Sequence, residues 1–205
     1  MLMAQVVVGT NSGAGALSYQ AFRWSGGTMN GLGFLPGGSY SEATATNPSG
    51  SMVIGFGDSN RIIESFLWTS STGMVGLGFL PDGLSVQANA MDADGSVIGG
   101  QSANGNAAIW TESTGWLLVI ALLTARGNNN DLQGWDLTTV TGISADGTII
   151  VGDGYDPSGK PEAWMAQISL KAPPIDPVPL PATLPLFATG LGALGLLGWH
   201  RRRKM

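Results

Sequence analysis

The chain has 205 residues, of which 32 are glycine and none is cysteine, and its formal net charge is −5 at pH 7. Four of the nine basic residues stand at positions 201–204, so residues 1–200 carry five basic and fourteen acidic side chains. This balance excludes nucleic-acid binding through a basic surface. The lack of cysteine excludes thiol chemistry and disulfides, and a single histidine, His200, excludes histidine-dependent triads and multi-histidine metal sites.

The first residues lack the features of a secretory signal peptide. Positions 1–9 contain no basic residue and only a three-valine apolar run, whereas a signal peptide combines a basic start with an apolar stretch of roughly 7–15 residues. The run at 6–9 instead matches the closing strand of the repeat described next. We therefore expect the chain to begin inside a repeat unit, through a truncated gene or a misplaced start codon.

Two long segments repeat along the chain. Residues 21–38 and 65–83 share an aromatic start that contains Trp24 or Trp68 and a Gly-Leu-Gly-Phe-Leu-Pro-x-Gly middle. Each segment continues into an alternating stretch, a glycine-containing turn and an apolar run that ends in glycine. A third unit opens at Ala108 and contains Trp110, and a fourth begins at Glu162 and contains Trp164. The repeat units span about 21–56, 65–100 and 108–152, with partial units at both ends.

Each unit holds about four short runs of aromatic and β-branched residues separated by Gly, Pro, Asp and Ser, the pattern of β-strands. Four strands in a period of roughly 40–45 residues are typical of a propeller blade. We therefore predict that residues 1–168 form a mainly β fold, an incomplete β-propeller-like array of about three four-stranded repeats. Such an open array leaves unpaired strand edges, so we expect self-association or poor solubility.

An insertion distinguishes the third unit. Residues 116–123 are eight consecutive apolar residues, too few to cross a bilayer. The segment is either a buried strand or a short helix that fills the core, and periodicity alone does not decide between them. A polar loop at 128–131 follows it.

The repeat motifs resemble the HAF-type extracellular repeat family over residues 6–168. That family combines an Ala/Ser-Phe-x-Trp-Thr start, a Gly-Leu-Gly-x-Leu-Pro-x-Gly middle and an end in which Gly-x-Ile-x-Gly follows a turn. The resemblance implies a β-propeller-like fold and carries no established activity.

The composition changes at the C-terminal end of the chain. Residues 169–183 form a proline-rich linker, expected to be stiff and extended. Residues 184–199 carry no charge and are predicted to form a transmembrane helix, close to the lower length limit for spanning. Residues 200–205 form a basic tail, in which Arg201, Arg202, Arg203 and Lys204 are expected to stay in the cytoplasm, leaving the repeats on the outer side.

The linker motif, apolar segment and basic end resemble the PEP-CTERM protein-sorting signal in its Val-Pro-Leu-Pro-Ala form. The motif residues are Val178, Pro179, Leu180, Pro181 and Ala182. The resemblance implies an exosortase-type membrane peptidase as partner in a Gram-negative bacterium that exports polysaccharide. It also implies an inner-membrane intermediate that is then secreted or held at the cell surface.

Two features inside the repeats have alternative interpretations. The segment Asp92–Gly95 is either a calcium loop or a hairpin turn. The turn is favoured because the equivalent segments of the other units do not repeat the paired acids. The tryptophans at the four unit starts either line a sugar-stacking surface or pack in the core, and their fixed position favours the core.

Two functions are compatible with these features. The first is a non-enzymatic surface or extracellular-matrix protein without cofactor or metal, with exopolysaccharide or other copies of the chain as further partners. The alternative is a glycan- or matrix-acting hydrolase, or its degenerate remnant, using carboxylates such as Asp153 and Glu162 near Asp156 and Lys160. A degraded paralogue without its own role is a third possibility. The turn chemistry around Asp156 favours a structural role for these acids.

Overall fold

The computed structural model describes residues 6–12, 19–128 and 130–168, and these residues form fourteen β-strands and one short α-helix. Every strand pairing among them is antiparallel, and strands that follow one another in the chain are neighbours within four separate sheets. Alternating residues point to opposite faces of each strand, so the apolar ones can pack between sheets, and turn residues separate the strands. The predicted mainly β fold is confirmed.

The sheets contain three or four strands each. Sheet 1 contains β1 (Val7–Ser12), β2 (Tyr19–Ser25) and β3 (Thr28–Gly31). Sheet 2 contains β4 (Ser41–Thr46), β5 (Met52–Ser59), β6 (Ile62–Thr69) and β7 (Gly73–Gly76). Sheet 3 contains β8 (Val86–Met91), β9 (Val97–Ser102), β10 (Ala107–Thr111) and β11 (Gly115–Leu118). Sheet 4 contains β12 (Asp136–Ile143), β13 (Ile149–Tyr155) and β14 (Pro161–Gln167).

The sheets are offset from the sequence repeats by two strands. Repeat unit 21–56 supplies β2 and β3 to sheet 1 and then β4 and β5 to sheet 2. Units 65–100 and 108–152 span the next two pairs of sheets in the same way. Where the sequence predicts about three four-stranded repeats, the described residues therefore form two four-stranded and two three-stranded sheets. Each repeat unit ties two neighbouring sheets together covalently.

The glycine that closes each repeat has a steric reason. Gly55, Gly100 and Gly152 lie opposite a register shift in the first strand of sheets 2, 3 and 4. A Cβ at these glycines would collide with a backbone carbonyl oxygen of that first strand, which belongs to Glu42, Gln87 or Thr139. The bulge and the missing side chain together allow the two strands to approach closely.

Three buried apolar clusters join consecutive sheets, and we call each of them a seam. The seam between sheets 1 and 2 contains Ala21, Leu32, Leu35, Ala43, Val53 and Phe66. The seam between sheets 2 and 3 contains Ile54, Leu77, Leu80, Val86, Ala88, Ile98, Ala108 and Trp116. The seam between sheets 3 and 4 contains Val97, Ala107, Ile109, Val119, Leu123, Leu137, Val140, Ile150, Trp164 and Ile168. Stability thus comes from burial between sheets, repeated along the chain.

The apolar insertion of the third unit forms both of the structures considered for it. Its first residues complete β11, and the chain then turns into the helix α1 (Val119–Ala125). Val119 and Leu123 are four positions apart, so they lie on one face of α1, and both are buried in the seam between sheets 3 and 4.

Among the described residues, no helix has the length and apolar character needed to cross a membrane. The predicted transmembrane helix at 184–199 lies outside the residues that the structure describes.

Candidate functional site

A groove lies beside sheet 4. Residues 123–137, which begin at the end of the third-unit insertion, form one wall, and β14 forms the other. The groove has a volume of about 500 Å³. Its apolar lining includes Leu123, Leu132, Trp135, Leu137 and Trp164. Its polar lining includes Asn128, Asp131, Glu162 and Gln167, all of which are exposed. The half-buried indole ring of Trp135, beside amide and carboxylate side chains, makes a mixed surface, suited to a ligand with both apolar faces and hydroxyl groups.

The two tryptophans of the groove are held differently. Trp164 is only 8% exposed, and its indole Nε1 donates a hydrogen bond to the backbone oxygen of Asp153 at 2.8 Å. Trp135 is half-buried and packs against the seam between sheets 3 and 4. The ring of Trp164 is therefore fixed, because burial and the hydrogen bond restrain it together.

The acidic residues proposed for a hydrolase do not converge. In the antiparallel register Asp153 lies opposite Ala163, and Glu162 lies opposite Gly154. Successive side chains of a strand point to opposite faces, so the carboxylates of Asp153 and Glu162 lie on opposite faces of sheet 4. Glycoside hydrolysis needs two carboxyl groups that flank one bond, and this pair does not meet that requirement.

Asp156 and Lys160 belong to the turn between β13 and β14. One carboxylate oxygen of Asp156 accepts hydrogen bonds from the backbone N–H groups of Lys160 and Ser158, both at 2.8 Å. The bond from the Lys160 N–H, together with those from the Ser158 hydroxyl and backbone, lowers the pKa of Asp156 below its ordinary value. The carboxylate therefore shapes the turn, as the sequence suggests.

The hairpin turns between the first two strands of sheets 2, 3 and 4 share a repeated hydrogen bond. The side-chain oxygen of Asn47 accepts from the Met52 N–H at 3.1 Å, and that of Asp92 accepts from the Val97 N–H at 3.2 Å. The Ser144 hydroxyl accepts from the Ile149 N–H at 2.9 Å. All three residues stand five positions before the donor. Asn, Asp and Ser are interchangeable here because each offers an acceptor oxygen.

This arrangement accounts for the acidic segment Asp92–Gly95. Asp92 is buried, and its other carboxylate oxygen accepts a hydrogen bond from the Ser96 hydroxyl at 2.8 Å. Asp94 accepts from the Ser96 N–H at 3.1 Å. In the part of the chain that the structure describes, no group of three or more potential ligands is placed to hold a metal ion. The structure places a hydrogen-bonded turn at this segment.

The same turns connect neighbouring sheets. The Arg23 guanidinium Nε donates to the Gly50 oxygen at 2.7 Å, which joins sheet 1 to the turn of sheet 2. The Asn47 amide donates to the Ala93 oxygen at 3.2 Å, and the Ala93 N–H donates to the Ala145 oxygen at 3.2 Å. A line of hydrogen bonds therefore runs along one end of the four sheets.

Two buried hydroxyl groups bridge the seams, and the sequence alone does not single them out. Ser41 on β4 accepts from the Ala21 N–H at 2.9 Å and donates to the Gly33 oxygen at 2.7 Å. Ser65 on β6 accepts from the Ala88 N–H at 3.0 Å and donates to the Val86 oxygen. Both serines are fully buried. Comparison of the repeat units shows only that Ala21 and Ser65 are equivalent, which gives no sign that a hydroxyl bonds across the seam.

The repeated tryptophans serve mainly as core residues. Trp68 and Trp110 are half-buried and pack against the first and second seams, and Trp164 is part of the third. Trp24 is half-buried on the face of sheet 1 that is turned away from sheet 2. Trp164 also differs in register, because it pairs with Gly152, whereas Trp68 and Trp110 pair two positions earlier in the preceding strand.

The sorting motif at 178–182 and the basic residues at 201–204 lie outside the described residues, so their predicted roles stay predictions.

Comparison with known proteins gives structural likenesses and no match by sequence. No family model matches the sequence, and no curated protein matches it. The chain is similar to a solved structure described as TolB from Agrobacterium tumefaciens, with 11% sequence identity and a TM-score of 0.46. The likeness covers 74% of this chain and 53% of that one, so the chain spans about half the length of the structure it matches.

Proposed function

We propose that the chain is a non-enzymatic surface or extracellular-matrix protein, a propeller-like repeat module that its C-terminal segment delivers to the outside of the cell. The observation that supports this proposal is the use made of the polar residues in the repeats. Asn47, Asp92 and Ser144 close turns, and Ser41 and Ser65 bond sheet to sheet. These residues build and join the sheets, which is the work of a scaffold.

The delivery signal is the ordered set of three parts in the sequence: the motif at 178–182, the uncharged segment at 184–199 and the basic cluster at 201–204. A basic cluster after an apolar segment keeps that end in the cytoplasm, so the repeats face outward. An exosortase-type peptidase is the proposed partner, and the inner membrane holds the intermediate before release. The host is proposed to be a Gram-negative bacterium.

Exopolysaccharide is the proposed contact of the displayed module. The groove between residues 123–137 and β14 offers the half-buried indole ring of Trp135 together with the side chains of Asn128, Asp131 and Glu162. Sugars present apolar ring faces and hydroxyl groups, which match such a lining.

The sorting role can be tested by mutation of the motif prolines. The chain is fused behind a signal peptide and expressed in a host with the matching sorting peptidase. The parent sequence is compared with a double variant that carries both Pro179→Ala and Pro181→Ala. We expect a shortened product outside the cell for the parent and an uncut, membrane-held product for the double variant. Mass spectrometry of each fraction gives the cleavage position.

Pro173→Ala with Pro174→Ala is the matched control, because it removes two prolines from the same linker and leaves the motif intact. This control should be processed like the parent. An uncut parent in the membrane fraction would show that the segment is only an anchor.

The non-enzymatic part of the proposal has its own test. Purified protein is incubated with the host's exopolysaccharide, and new reducing ends are measured. If the parent releases reducing ends and the Glu162→Gln variant does not, the alternative, a glycan-acting hydrolase, is established and the scaffold proposal is overturned.

A further inference from the structure

We propose that this chain associates head to tail with a second copy of itself, through the outward face of sheet 4 on one copy and the outward face of sheet 1 on the other. The proposal is independent of the sorting role. It assigns association to two sheet faces and not to strand edges.

Sheet 1 has an apolar face turned away from sheet 2. Val8 and Ala21 pack in the seam with sheet 2, so the alternate residues of the same strands point the other way. We call these alternate residues the leading face: Val7, Phe22, Trp24 and Met29. The pairs Val7–Trp24 and Trp24–Met29 have the same register as Val53–Trp68 and Trp68–Met74 in sheet 2.

The equivalent residues of sheet 2 are buried or half-buried. Val53 and Phe66 are 0% exposed because sheet 1 covers them. On the leading face, by contrast, Val7 is 48% and Met29 is 52% exposed. At the first of these positions Val53 is thus a core residue in sheet 2, whereas Val7 is a surface residue in sheet 1.

Sheet 4 has the complementary face at the other end. Ile150 and Trp164 pack toward sheet 3, so the alternate residues point away. We call their apolar members the trailing face: Ile149, Val151, Ala163 and Met165. Asp153 and Gln167 lie on the same side of the sheet. Val151 is 38% and Met165 is 74% exposed.

The hydrogen bond that the turns share shows which residues of sheet 2 are equivalent to those of the trailing face. The hydrogen bond from Ile149 to Ser144 corresponds to that from Met52 to Asn47, so Val151 stands where Ile54 stands in sheet 2. Ile54 is 0% exposed, because sheet 3 covers it. Its partner in the register is Leu67, as Met165 is the partner of Val151.

The occupant follows from how the chain builds its own seams. In all three seams the trailing side of one sheet packs on the leading side of the next. Among the described residues, no buried cluster joins sheet 4 to sheet 1. One leading face and one trailing face therefore remain, and these are the two halves of one further seam. A second copy supplies the missing half at each end, so the contact continues the existing series of seams.

A contact between two different faces is heterologous, so it produces a ring if the rotation closes and a longer chain of copies if it does not. The joint is expected to be weaker than an internal seam, because sheet 1 contributes three described strands whereas sheets 2 and 3 contribute four. Association is therefore expected to depend on concentration.

Two matched methionine variants test the proposal. Met29→Asp places a charge on the leading face, and Met165→Asp places one on the trailing face. Both side chains are exposed, so both variants should fold, which circular dichroism checks. Sedimentation velocity of the full chain in mild detergent should show concentration-dependent association for the parent and monomers for each variant alone.

An equimolar mixture of the two variants gives the decisive result. Each variant keeps one intact face, so the mixture should form heterodimers and nothing larger. Ile62→Asp is the control, because Ile62 is 55% exposed and lies at the β5–β6 hairpin of sheet 2. This control should associate like the parent.

Cysteine cross-linking gives a second readout, free of background because the chain has no cysteine. Met29→Cys and Met165→Cys chains should form a disulfide with each other much faster than either forms with itself.

Several results would overturn the proposal. These are a monomeric parent at every concentration, a variant that still self-associates, or a mixture that stays monomeric. Association that begins only after the segment beyond residue 168 is removed would show that this segment covers one of the faces instead.

Discussion

Residues at equivalent positions of the repeat differ in type but present the same atom. Asn47, Asp92 and Ser144 all place an acceptor oxygen where the turn needs one. The sequence predicts these turns correctly, since Asn, Asp, Ser and Gly are turn residues. The buried position of Asp92 was beyond such a prediction, because it depends on the turn of sheet 4, which contacts Ala93 from a distant part of the chain.

Two buried tryptophans allow a matched comparison of stability. Trp116 is 1% exposed, and its Nε1 is buried with no hydrogen-bond partner among the described residues. Trp164 is 8% exposed, and its Nε1 donates to Asp153. A buried donor without a partner costs about 1–3 kcal/mol, whereas a made hydrogen bond stabilises by about 1 kcal/mol. We therefore expect Trp164→Phe to destabilise the fold more than Trp116→Phe.

Urea denaturation of the two variants measures this difference. Burial alone predicts the opposite order, because Trp116 is the more buried ring. A larger loss of unfolding free energy for Trp116→Phe would mean that its indole nitrogen is satisfied in solution.

The turn residue Asp146 gives the fold a dependence on acid pH. Hydrogen bonds from the Ser144 hydroxyl, and then from the Thr148 N–H and hydroxyl, lower the pKa of Asp146 from 3.8 to about 2. A lowered pKa contributes stability that is present above the ordinary value and is lost as the pH falls toward the folded value. Asp146→Asn should therefore lower the melting temperature at neutral pH, and the difference from the parent should shrink between pH 4 and pH 2. A difference that stays constant down to pH 2 would contradict this assignment.

At the scale of strands and sheets, the sequence predicts the strands well and the sheet boundaries poorly. The β-rich repeats and their turns follow from alternation and turn chemistry. The offset of two strands does not, because the repeat has no intrinsic start and hydrogen-bond pairing between strands decides where a sheet begins. The insertion was ambiguous for a similar reason: residues up to Leu118 pair with β10, and only beyond them does the chain become helical.

The groove was even harder to predict from the sequence than the sheet boundaries. Its walls come from residues 123–137 and 162–167, and only the packing of α1 in the seam between sheets 3 and 4 brings them together. The sequence showed that Asp153 and Glu162 are close along the chain. Their separation onto opposite faces follows from the register of β13 and β14, which their spacing does not reveal.

The seam hydroxyls give a prediction about sheet packing. Ser65→Ala leaves the Ala88 N–H without the acceptor that it has in the seam, so we expect a loss of about 1–3 kcal/mol in unfolding free energy. Ser71→Ala is the control, because Ser71 is exposed and, among the described residues, its hydroxyl bonds to the Thr69 hydroxyl, at 3.0 Å, within its own turn. This control should change stability by less than about 0.5 kcal/mol. Equal effects of the two substitutions would remove the bridging role assigned to Ser65.

At the scale of the whole repeat region, stability is spread over three seams of similar construction. Each repeat unit crosses from one sheet to the next, so no unit buries its apolar residues alone. The same construction leaves one half-seam at each end, which is the basis of the proposed head-to-tail contact. Composition and hydropathy did not reveal these two faces. Their residues are apolar like the residues at equivalent positions of other repeats, which pack in the seams.

The two bridging serines also limit how the gene can change. In the first seam the later sheet supplies the hydroxyl, from Ser41, whereas in the second the earlier sheet supplies it, from Ser65. Recombination that deleted sheet 2 would remove both serines and leave the N–H groups of Ala21 and Ala88 without the hydroxyls that now accept from them. Duplication of sheet 2 would bring Ser65 against Ser41 and bury two hydroxyls together. The repeats are alike in fold, but the order of the first two seams is not exchangeable, because their bridging serines come from opposite sides of the junction.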